Sequence, residues 1–349
     1  MNIEEIDKNL RVAAGVDESD ILWRNARDTV FSLHGLYQPR EQELFMRMDP
    51  KAAQAANMGV AQLNFNTAGG RLRFATDSAY VALHAEMDEV SWMPHMTLCG
   101  SAGFDMYVNG MYNNTFIPPP HMQQGYCAIY RFLDDGMREV CINFPLYNGM
   151  RALYVGLQEG AQVLPPQPYA LNEPVVYYGS SITQGGCASR PGNSYPAIIS
   201  QRMDLDHINL GFSGSARGEE SVCDYIKQLS MCAFVYDYDH NAPTAAHLRA
   251  THEPFFLRLR EAQPELPMVM VTMPSDVLPE SAERRDIIRT TYENAVARGD
   301  RHAYYIDGRE LFGTEGRDAC TVDGVHPNDL GFYRMAQRIE REIRLALSG

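Results

Sequence analysis

Hydrophobic and polar positions follow two different patterns along this chain of 349 residues. Up to about residue 170 they indicate β-strands: Arg71–Thr76 alternates polar with apolar or small side chains, and Phe104–Val108 runs into Asn109-Gly110. Both turn residues tolerate a positive φ, so a type I′ hairpin is predicted there, and Asn148-Gly149 predicts a second hairpin between two later strands. Because a half-buried strand must cover one face with a second sheet, this half predicts an antiparallel β-sandwich.

The pattern changes after a proline-rich stretch, residues 163–174, which predicts a linker. Beyond it, short apolar runs predict buried parallel strands at Val175–Tyr178, His207–Leu210, Ala233–Tyr236, Met268–Met273 and Ala303–Ile306. Longer stretches predict helices at Ser194–Met203, Ala245–Ala262, Pro279–Ala297 and Asp329–Leu347. The alternation predicts a parallel sheet covered by helices on both faces, with functional groups at the carboxyl ends of its strands.

Composition narrows the class of protein. Hydrophobic residues make up 45% of the chain and charged residues 21%, which is typical of a globular protein. The formal charge of -14 argues against nucleic acid or anionic lipid as a partner, because both require clustered Lys and Arg. No run approaches the roughly 18 apolar residues of a membrane span, and the first residues show no signal peptide, so we expect a cytoplasmic protein. The seven scattered cysteines contain no CxxC pair, so we expect free thiols rather than a disulfide framework or structural zinc.

Three predicted strand ends carry groups suited to acyl chemistry. The first strand leads into Gly179-Ser180-Ser181, where a serine on a glycine-flanked turn can present its hydroxyl beyond the sheet. The second strand leads to Gly214, whose N–H can serve as an oxyanion donor. The third leads to Asn241, whose side-chain amide offers two further donors. Each of these residues is also an ordinary turn residue, so none of them predicts catalysis alone.

A carboxylate and an imidazole occur close together twice. Asp239 and His240 suggest a metal site or a dyad, but neighbours on an extended segment point to opposite faces, so only one of them should enter a given pocket. Asp323 and His326 precede the last predicted helix, and their spacing of three across a turn brings the carboxylate beside the ring. The carboxylate can then hold the ring tautomer while the other ring nitrogen removes a proton from a hydroxyl. Together the four segments supply a nucleophile, oxyanion donors, a base and its orienting group, which is the full set for acyl transfer.

The four segments resemble the conserved blocks of the SGNH hydrolase superfamily, the GDSL-like lipases and acylhydrolases. Gly179-Ser180-Ser181-Ile182-Thr183 matches the first block, Gly214 the second, Asn241 the third, and Asp323 with His326 the closing Asp-x-x-His. The resemblance implies a flavodoxin-like three-layer α/β/α sandwich and a catalytic triad of Ser181, Asp323 and His326. It also implies an oxyanion hole formed by the N–H groups of Ser181 and Gly214 and the amide of Asn241, and it implies no cofactor and no metal.

Two departures from the family pattern stand beside the matches. Ser180 replaces the usual aspartate of the first block, and Asp239-His240-Asn241-Ala242 replaces the usual Gly-x-Asn-Asp of the third. Neither change removes a catalytic group. The first half also resembles the jelly-roll domain that precedes the hydrolase in one subgroup. We therefore expect residues 1–170 to form an accessory β-sandwich and residues 171–349 the catalytic domain.

The expected reaction is hydrolysis of short-chain acyl esters, above all acetyl esters of carbohydrate, through an acyl-Ser181 intermediate. The expected partner is a small-molecule or oligosaccharide ester, and we expect a homo-oligomer, although the sequence identifies no interface. An acyltransferase that uses the same acyl-enzyme is the first alternative, because sequence does not distinguish water from an acceptor alcohol. A carbohydrate-binding protein without catalysis is the second. A thiol mechanism at Cys187 is weaker, because the sequence assigns no base beside that residue.

Overall fold

The computed structural model describes residues 6–7, 12, 15–120 and 122–348. Up to residue 164 its strands form two antiparallel sheets. The first sheet has the order β1-β9-β4-β7, and the second has the order β10-β3-β8-β5-β6 with β2 beside β3. The strands are β1 (Ile21–Asn25), β2 (Ser32–His34), β3 (Arg71–Thr76), β4 (Tyr80–Glu86), β5 (Phe104–Val108), β6 (Met111–Phe116), β7 (Gly125–Arg131), β8 (Arg138–Asn143), β9 (Ala152–Gln158) and β10 (Val163–Leu164). The predicted antiparallel β structure of this half is confirmed.

The two predicted hairpin turns have different outcomes. Asn109 and Gly110 join the paired strands β5 and β6 with φ values of 50° and 78°, as a type I′ turn requires. The second hairpin is wrong, since β8 and β9 lie in different sheets. Asn148 instead lies in the connection between β8 and β9. Its side chain accepts from the N–H of Ser91 at 2.8 Å and donates to the carbonyl oxygen of Ser101 at 2.8 Å.

The second half forms one parallel sheet of five strands in the order β12-β11-β13-β14-β15, which is the order of flavodoxin-like sheets. The strands are β11 (Val175–Gly179), β12 (His207–Gly211), β13 (Ala233–Asp237), β14 (Met268–Val271) and β15 (Ala303–Ile306). All five were predicted, with β14 ending two residues earlier than expected. No helix among the described residues is long and apolar enough to cross a membrane.

Helices cover both faces of this sheet. They are α4 (Ser181–Gln184), α5 (Tyr195–Met203), α6 (Glu220–Ile226), α7 (Ala245–Ala262), α8 (Ser281–Ala297) and α9 (Asp329–Ser348), while α1 (Pro50–Ala56), α2 (Met58–Leu63) and α3 (Leu98–Ser101) belong to the first half. Successive side chains of β11 point to opposite faces: Val176 and Tyr178 pack with α6, α7 and α8, whereas Val175 and Tyr177 pack with α5 and α9. The predicted layers are therefore present, with α6 as a helix that the sequence pattern did not reveal.

Residues of the first half also fill the core of the second. Ala53 of α1 and Val60 of α2 are fully buried in the same cluster as Tyr178 and Phe234, on one face of the parallel sheet. Tyr147 joins the cluster on the opposite face. Both faces of the parallel sheet therefore pack against side chains that precede residue 170.

Candidate active site

The first three strands of the parallel sheet end level with one another. Gly179, the last residue of β11, is paired in register with Gly211 of β12 on one side and with Asp237 of β13 on the other. Gly179 has to be a glycine, because a Cβ there would overlap the side chains of Asp237 and Thr183. The loops that follow these strands consequently leave the sheet at one edge, as the sequence pattern predicted.

Ser181, His326 and Asp323 form a continuous chain of hydrogen bonds at this edge. The hydroxyl oxygen of Ser181 lies 3.0 Å from Nε2 of His326, and Nδ1 of the same ring lies 2.7 Å from Oδ2 of Asp323. Ser181 is the first residue of α4, so its own N–H has no acceptor within the helix and is free to face a ligand. The arrangement joins a hydroxyl, an imidazole and a carboxylate in the order that nucleophilic catalysis by serine requires.

The two neighbouring serines have separate surroundings. Ser180 is only 1% exposed, and its hydroxyl oxygen accepts a hydrogen bond from the N–H of Ile182 at 3.2 Å, so it caps the start of α4. Ser181 is partly exposed and faces His326. Ser180, which replaces the usual family aspartate, therefore bonds a backbone N–H of α4. Ser181 is the serine beside the imidazole.

The turn between Asp323 and His326 holds the carboxylate in place. Oδ1 of Asp323 accepts from the N–H groups of Val325 at 3.0 Å and His326 at 2.7 Å. Partial burial alone would raise the pKa of Asp323, but the bond to the His326 ring and these two backbone bonds outweigh it and lower the pKa to about 2. The carboxylate is therefore ionised at neutral pH and fixes the proton of the imidazole on Nδ1.

The loop after β12 is held by hydrogen bonds to two neighbouring segments. Gly214 has a φ of 64°, a conformation that favours glycine, and it is exposed. Asn241, in the loop after β13, donates from its side-chain amide to the carbonyl oxygen of Phe212 at 3.0 Å. Gln184 of α4 accepts from the N–H of Ser213 at 3.0 Å. The loops that carry Gly214 and Asn241 are thus tied together next to the helix that begins with Ser181.

Two residues that the sequence analysis missed hold this site from the first half of the chain. Arg47 is 1% exposed and donates to the carbonyl oxygens of Asn209 at 3.1 Å and Gly211 at 2.5 Å, at the end of β12. Tyr147 donates from its hydroxyl to the carbonyl oxygen of Ser181 at 3.1 Å. Neither residue belongs to a motif, and both lie far from the site along the chain, so the sequence carried no signal for them.

Asp239 and His240 do not form a dyad. Asp239 is buried and accepts from the N–H of Met273 at 2.8 Å. The Nε2 atom of His240 is buried without a hydrogen-bond partner among the described residues. Burial, together with the nearby His326 and Arg284 side chains, lowers the pKa of His240 to about 4, so this ring is neutral near the site. Both residues lie in a turn rather than on an extended segment, so the expectation that only one of them enters a given pocket stays a prediction.

Cys187 and His95 also lie at the site, which the sequence did not predict. One ligand-forming atom of each lies within 4.8 Å of the other and of one in His326. Cys187 is 6% exposed, and burial together with the charge of Asp323 raises the pKa of its thiol to about 11. Although a base does lie near Cys187, its thiol is protonated at neutral pH, and a thiol mechanism is disfavoured.

Two family models match separate parts of the chain. Residues 172–344 match the GDSL-like lipase/acylhydrolase family. Residues 21–163 match the model described as the N-terminus of the SGNH-hydro-type esterase. No curated protein sequence matches the chain.

The chain is also similar to solved structures over nearly its whole length. A protein from Bacteroides ovatus ATCC 8483, assigned as a GDSL-like lipase, is 27% identical with a TM-score of 0.82, over 94% of this chain and 98% of that one. The salicylyl-acyltransferase SsfX3 from a tetracycline biosynthetic pathway is 20% identical with a TM-score of 0.78, again over 94% and 98%. A family two carbohydrate esterase from Clostridium thermocellum, in complex with cellohexaose, is 13% identical with a TM-score of 0.60, over 81% and 94%. At these lower identities the last two similarities concern the fold alone.

The family models and the B. ovatus structure agree with the resemblance that the four sequence segments carry. This chain therefore belongs to the GDSL-like lipase and acylhydrolase family, and its first half contains the N-terminal domain of SGNH-hydro-type esterases.

Proposed function

We propose that this protein is a serine esterase that removes short acyl groups, above all acetyl groups, from carbohydrate esters. The observation that carries the proposal is the chain of hydrogen bonds from Ser181 through His326 to Asp323, with links of 3.0 Å and 2.7 Å. In this proposal residues 171–349 form the catalytic domain, and residues 1–170 form the jelly-roll accessory domain.

Acylation begins when His326 Nε2 takes the proton of the Ser181 hydroxyl as the oxygen attacks the ester carbonyl carbon. Asp323 stabilises the imidazolium that forms, and its pKa of about 2 keeps it ionised while it does so. His326 then returns the proton to the departing alcohol. Water repeats the sequence on the acyl-enzyme, and His326 again serves as base and then as acid.

The negative charge on the carbonyl oxygen requires donors in both steps. We assign this role to the N–H of Ser181, the N–H of Gly214 and the side-chain amide of Asn241. One hydrogen of that amide is used on Phe212, at 3.0 Å, so its second hydrogen is the one that faces the substrate. Donors held in place before the reaction need no rearrangement as the charge develops, which is the reason such groups accelerate acyl transfer.

The assignment of carbohydrate as the alcohol part of the substrate is based on the residues around the site. Trp92 is 54% exposed and precedes His95 by three residues, and the ring of His95 lies 5.7 Å from that of His326 between centroids. An indole is the kind of side chain that packs against the apolar face of a sugar ring. The structural similarity to a carbohydrate esterase supports the same class of substrate.

The test is turnover of p-nitrophenyl acetate and butyrate and of acetylated oligosaccharides, with the mass of the quenched protein followed in parallel. We expect turnover and an acetyl adduct in the wild type and in Ser180→Ala, and a loss of about 10⁴-fold or more together with the adduct in Ser181→Ala. A loss confined to Ser180→Ala would move the nucleophile by one residue. The absence of both turnover and adduct in the wild type would contradict the proposal and favour a carbohydrate-binding protein.

An acyltransferase is the second candidate, and the similarity to the salicylyl-acyltransferase, with a TM-score of 0.78, favours it. The two reactions share the acyl-enzyme and differ only in the molecule that attacks it. Acetyl-enzyme formed from p-nitrophenyl acetate should therefore be offered sugar and aromatic alcohols at increasing concentration. Free acetate as the main product at every concentration supports the hydrolase, whereas a dominant transfer product supports the transferase.

A further inference from the structure

His95, Cys187 and His326 form a cluster of nitrogen and sulfur ligands drawn from three parts of the chain. His95 lies in the loop between β4 and α3, Cys187 follows α4, and His326 ends the turn after Asp323. Their three ligand-forming atoms all lie within 4.8 Å of one another. His95 is exposed and Cys187 is nearly buried, so the cluster opens to solvent on the side of His95.

The ligand set selects a class of metal ion. Imidazole nitrogen and thiolate sulfur favour Zn²⁺, Co²⁺, Ni²⁺ and Cu²⁺, whereas Mg²⁺ and Ca²⁺ prefer oxygen. Bonds of about 2.0–2.3 Å in a tetrahedral site place neighbouring ligands roughly 3.3–3.7 Å apart. The three atoms now lie within 4.8 Å of one another, so side-chain adjustments of about 1 Å would bring them into that range.

The partner of His326 strengthens the argument. Ligand histidines in metal sites commonly donate their second ring nitrogen to a carboxylate, which fixes the tautomer and makes the first nitrogen a better ligand. Nδ1 of His326 has such a partner in Asp323, at 2.7 Å. Its Nε2 is therefore the nitrogen with a lone pair available, and it faces the Ser181 hydroxyl at 3.0 Å.

We propose that His95, Cys187 and His326 bind a divalent ion of the zinc class and that this ion reversibly inhibits the enzyme. The ion takes the lone pair of His326 Nε2, which otherwise accepts the proton of Ser181, so metal binding and proton transfer exclude each other. The Cys187 thiol becomes a thiolate ligand, and its proton goes to solvent. The inhibition rests on the proposed role of His326 as the base, whereas the binding itself does not.

Metal binding is tested without any reference to activity. Metal-free Ser181→Ala protein is titrated with Co²⁺ and followed by absorption, because a thiolate ligand gives a charge-transfer band and a tetrahedral site gives intense visible bands. We expect one equivalent of Co²⁺ to bind and Zn²⁺ to displace it. The thiolate band should be absent from the double variant that carries Ser181→Ala and Cys187→Ala. Cys232→Ala, which removes a partly exposed thiol outside the cluster, should keep the band.

His95→Gln provides a second variant at an exposed position, where failure to fold is not a concern. It should weaken Co²⁺ binding by at least about 10-fold, since one of three protein ligands is lost. A thiolate band that survives Cys187→Ala, or an affinity unchanged by His95→Gln, would overturn the proposed site. These results stand even if the protein hydrolyses no ester.

Inhibition is then measured with wild-type protein on p-nitrophenyl acetate. We expect Zn²⁺ to abolish turnover at the concentration at which it displaces Co²⁺, and a chelator to restore turnover in full. The metal-free rate of Cys187→Ala is measured first, and relative to that rate the variant should require at least about 10-fold more Zn²⁺ for half-maximal inhibition. Equal sensitivity of Cys187→Ala and wild type would show that any inhibition arises elsewhere and would contradict the proposal.

Discussion

The hydroxyl of Tyr147 donates a hydrogen bond to the main-chain carbonyl oxygen of Ser181, 3.1 Å away. A residue of the N-terminal half thereby holds the first residue of helix α4 through its main chain. Tyr147 is nearly buried, and the same carbonyl oxygen also accepts from the N–H groups of Gly185 at 3.0 Å and Gly186 at 2.9 Å. We regard Tyr147 as a positioning residue for Ser181, the proposed nucleophile.

Tyr147→Phe should lower kcat about 2- to 10-fold and leave KM and the pH profile unchanged, because one hydrogen bond contributes roughly 0.5–1.5 kcal/mol and the triad itself is untouched. Steady-state kinetics on p-nitrophenyl acetate measures all three quantities. Tyr112→Phe is the matched control, since that hydroxyl lies on an exposed side chain and, within the described part of the chain, bonds Thr115. A rise in KM at constant kcat would mean that Tyr147 binds substrate instead.

Ser180→Ala should destabilise the protein without removing its activity. The Ser180 hydroxyl caps α4, and loss of such a cap typically costs about 1 kcal/mol. Urea unfolding should show this decrease, whereas turnover should stay within about 3-fold of wild type. Ser230→Ala, which removes an exposed hydroxyl bonded to Glu173, should change neither quantity. Unchanged stability together with lost turnover would refute the capping role.

Asn241→Ala should lower kcat by about 10²–10³, the loss seen when one oxyanion donor is removed from other enzymes of this chemistry. KM should change little, because the negative charge develops after substrate binding. The measurement is single-turnover acylation with p-nitrophenyl acetate. Asn294→Ala serves as the control, since its amide bonds Glu253 on the surface of α7. A loss below about 3-fold for Asn241→Ala would exclude it from the oxyanion hole.

Asp206 should make stability depend on acid pH. It contacts Arg71 through a charged hydrogen bond and His34 through Nδ1 at 2.9 Å, so it joins β2 and β3 to the start of β12. Burial alone would raise its pKa, but the charge of Arg71 and the bond to His34 outweigh burial and lower the pKa to about 2. The stabilisation is present above the unfolded value of 3.8 and is lost as pH falls through about 2, and it amounts to roughly 2 kcal/mol.

Asp206→Asn should therefore unfold more easily at neutral pH and lose less stability than wild type between pH 5 and pH 2. Urea unfolding at a series of pH values gives the free energy of unfolding for both proteins. Asp17→Asn, at a side chain that is 95% exposed, should follow the wild-type curve. Parallel curves for Asp206→Asn and wild type would show that this ion pair does not set the acid limit.

The sequence was informative wherever the relevant interaction is local. Asp323 and His326 are three residues apart, and the strand that precedes Ser181 is a continuous apolar run, so both could be recognised from the pattern. Arg47 and Tyr147 contact the site through backbone carbonyl groups, which any residue can supply, and neither the spacing nor the residue type signals such contacts.

The same distinction explains the wrong hairpin and the missed cluster. Asn148-Gly149 has the composition of a two-residue turn, but Asn148 bonds Ser91 and Ser101 in separate segments, and no local rule predicts those partners. His95 reaches His326 only because the first half packs on the edge of the parallel sheet. Its neighbours in the sequence, Pro94 and Met96, gave no sign of a ligand.

The burial of Ala53 and Val60 under the parallel sheet also constrains how this protein can evolve. A recombination event that joined a foreign N-terminal segment at residue 170 would remove Ala53 and Val60 from the core on one face of the sheet and Arg47 from the end of β12. The recombinant protein would keep the proposed triad but lose the packing and hydrogen bonds that hold the surrounding strand ends in place. We therefore expect the two halves to be inherited as one unit. A substitution on one side of their contact should be compensated by a substitution on the other side.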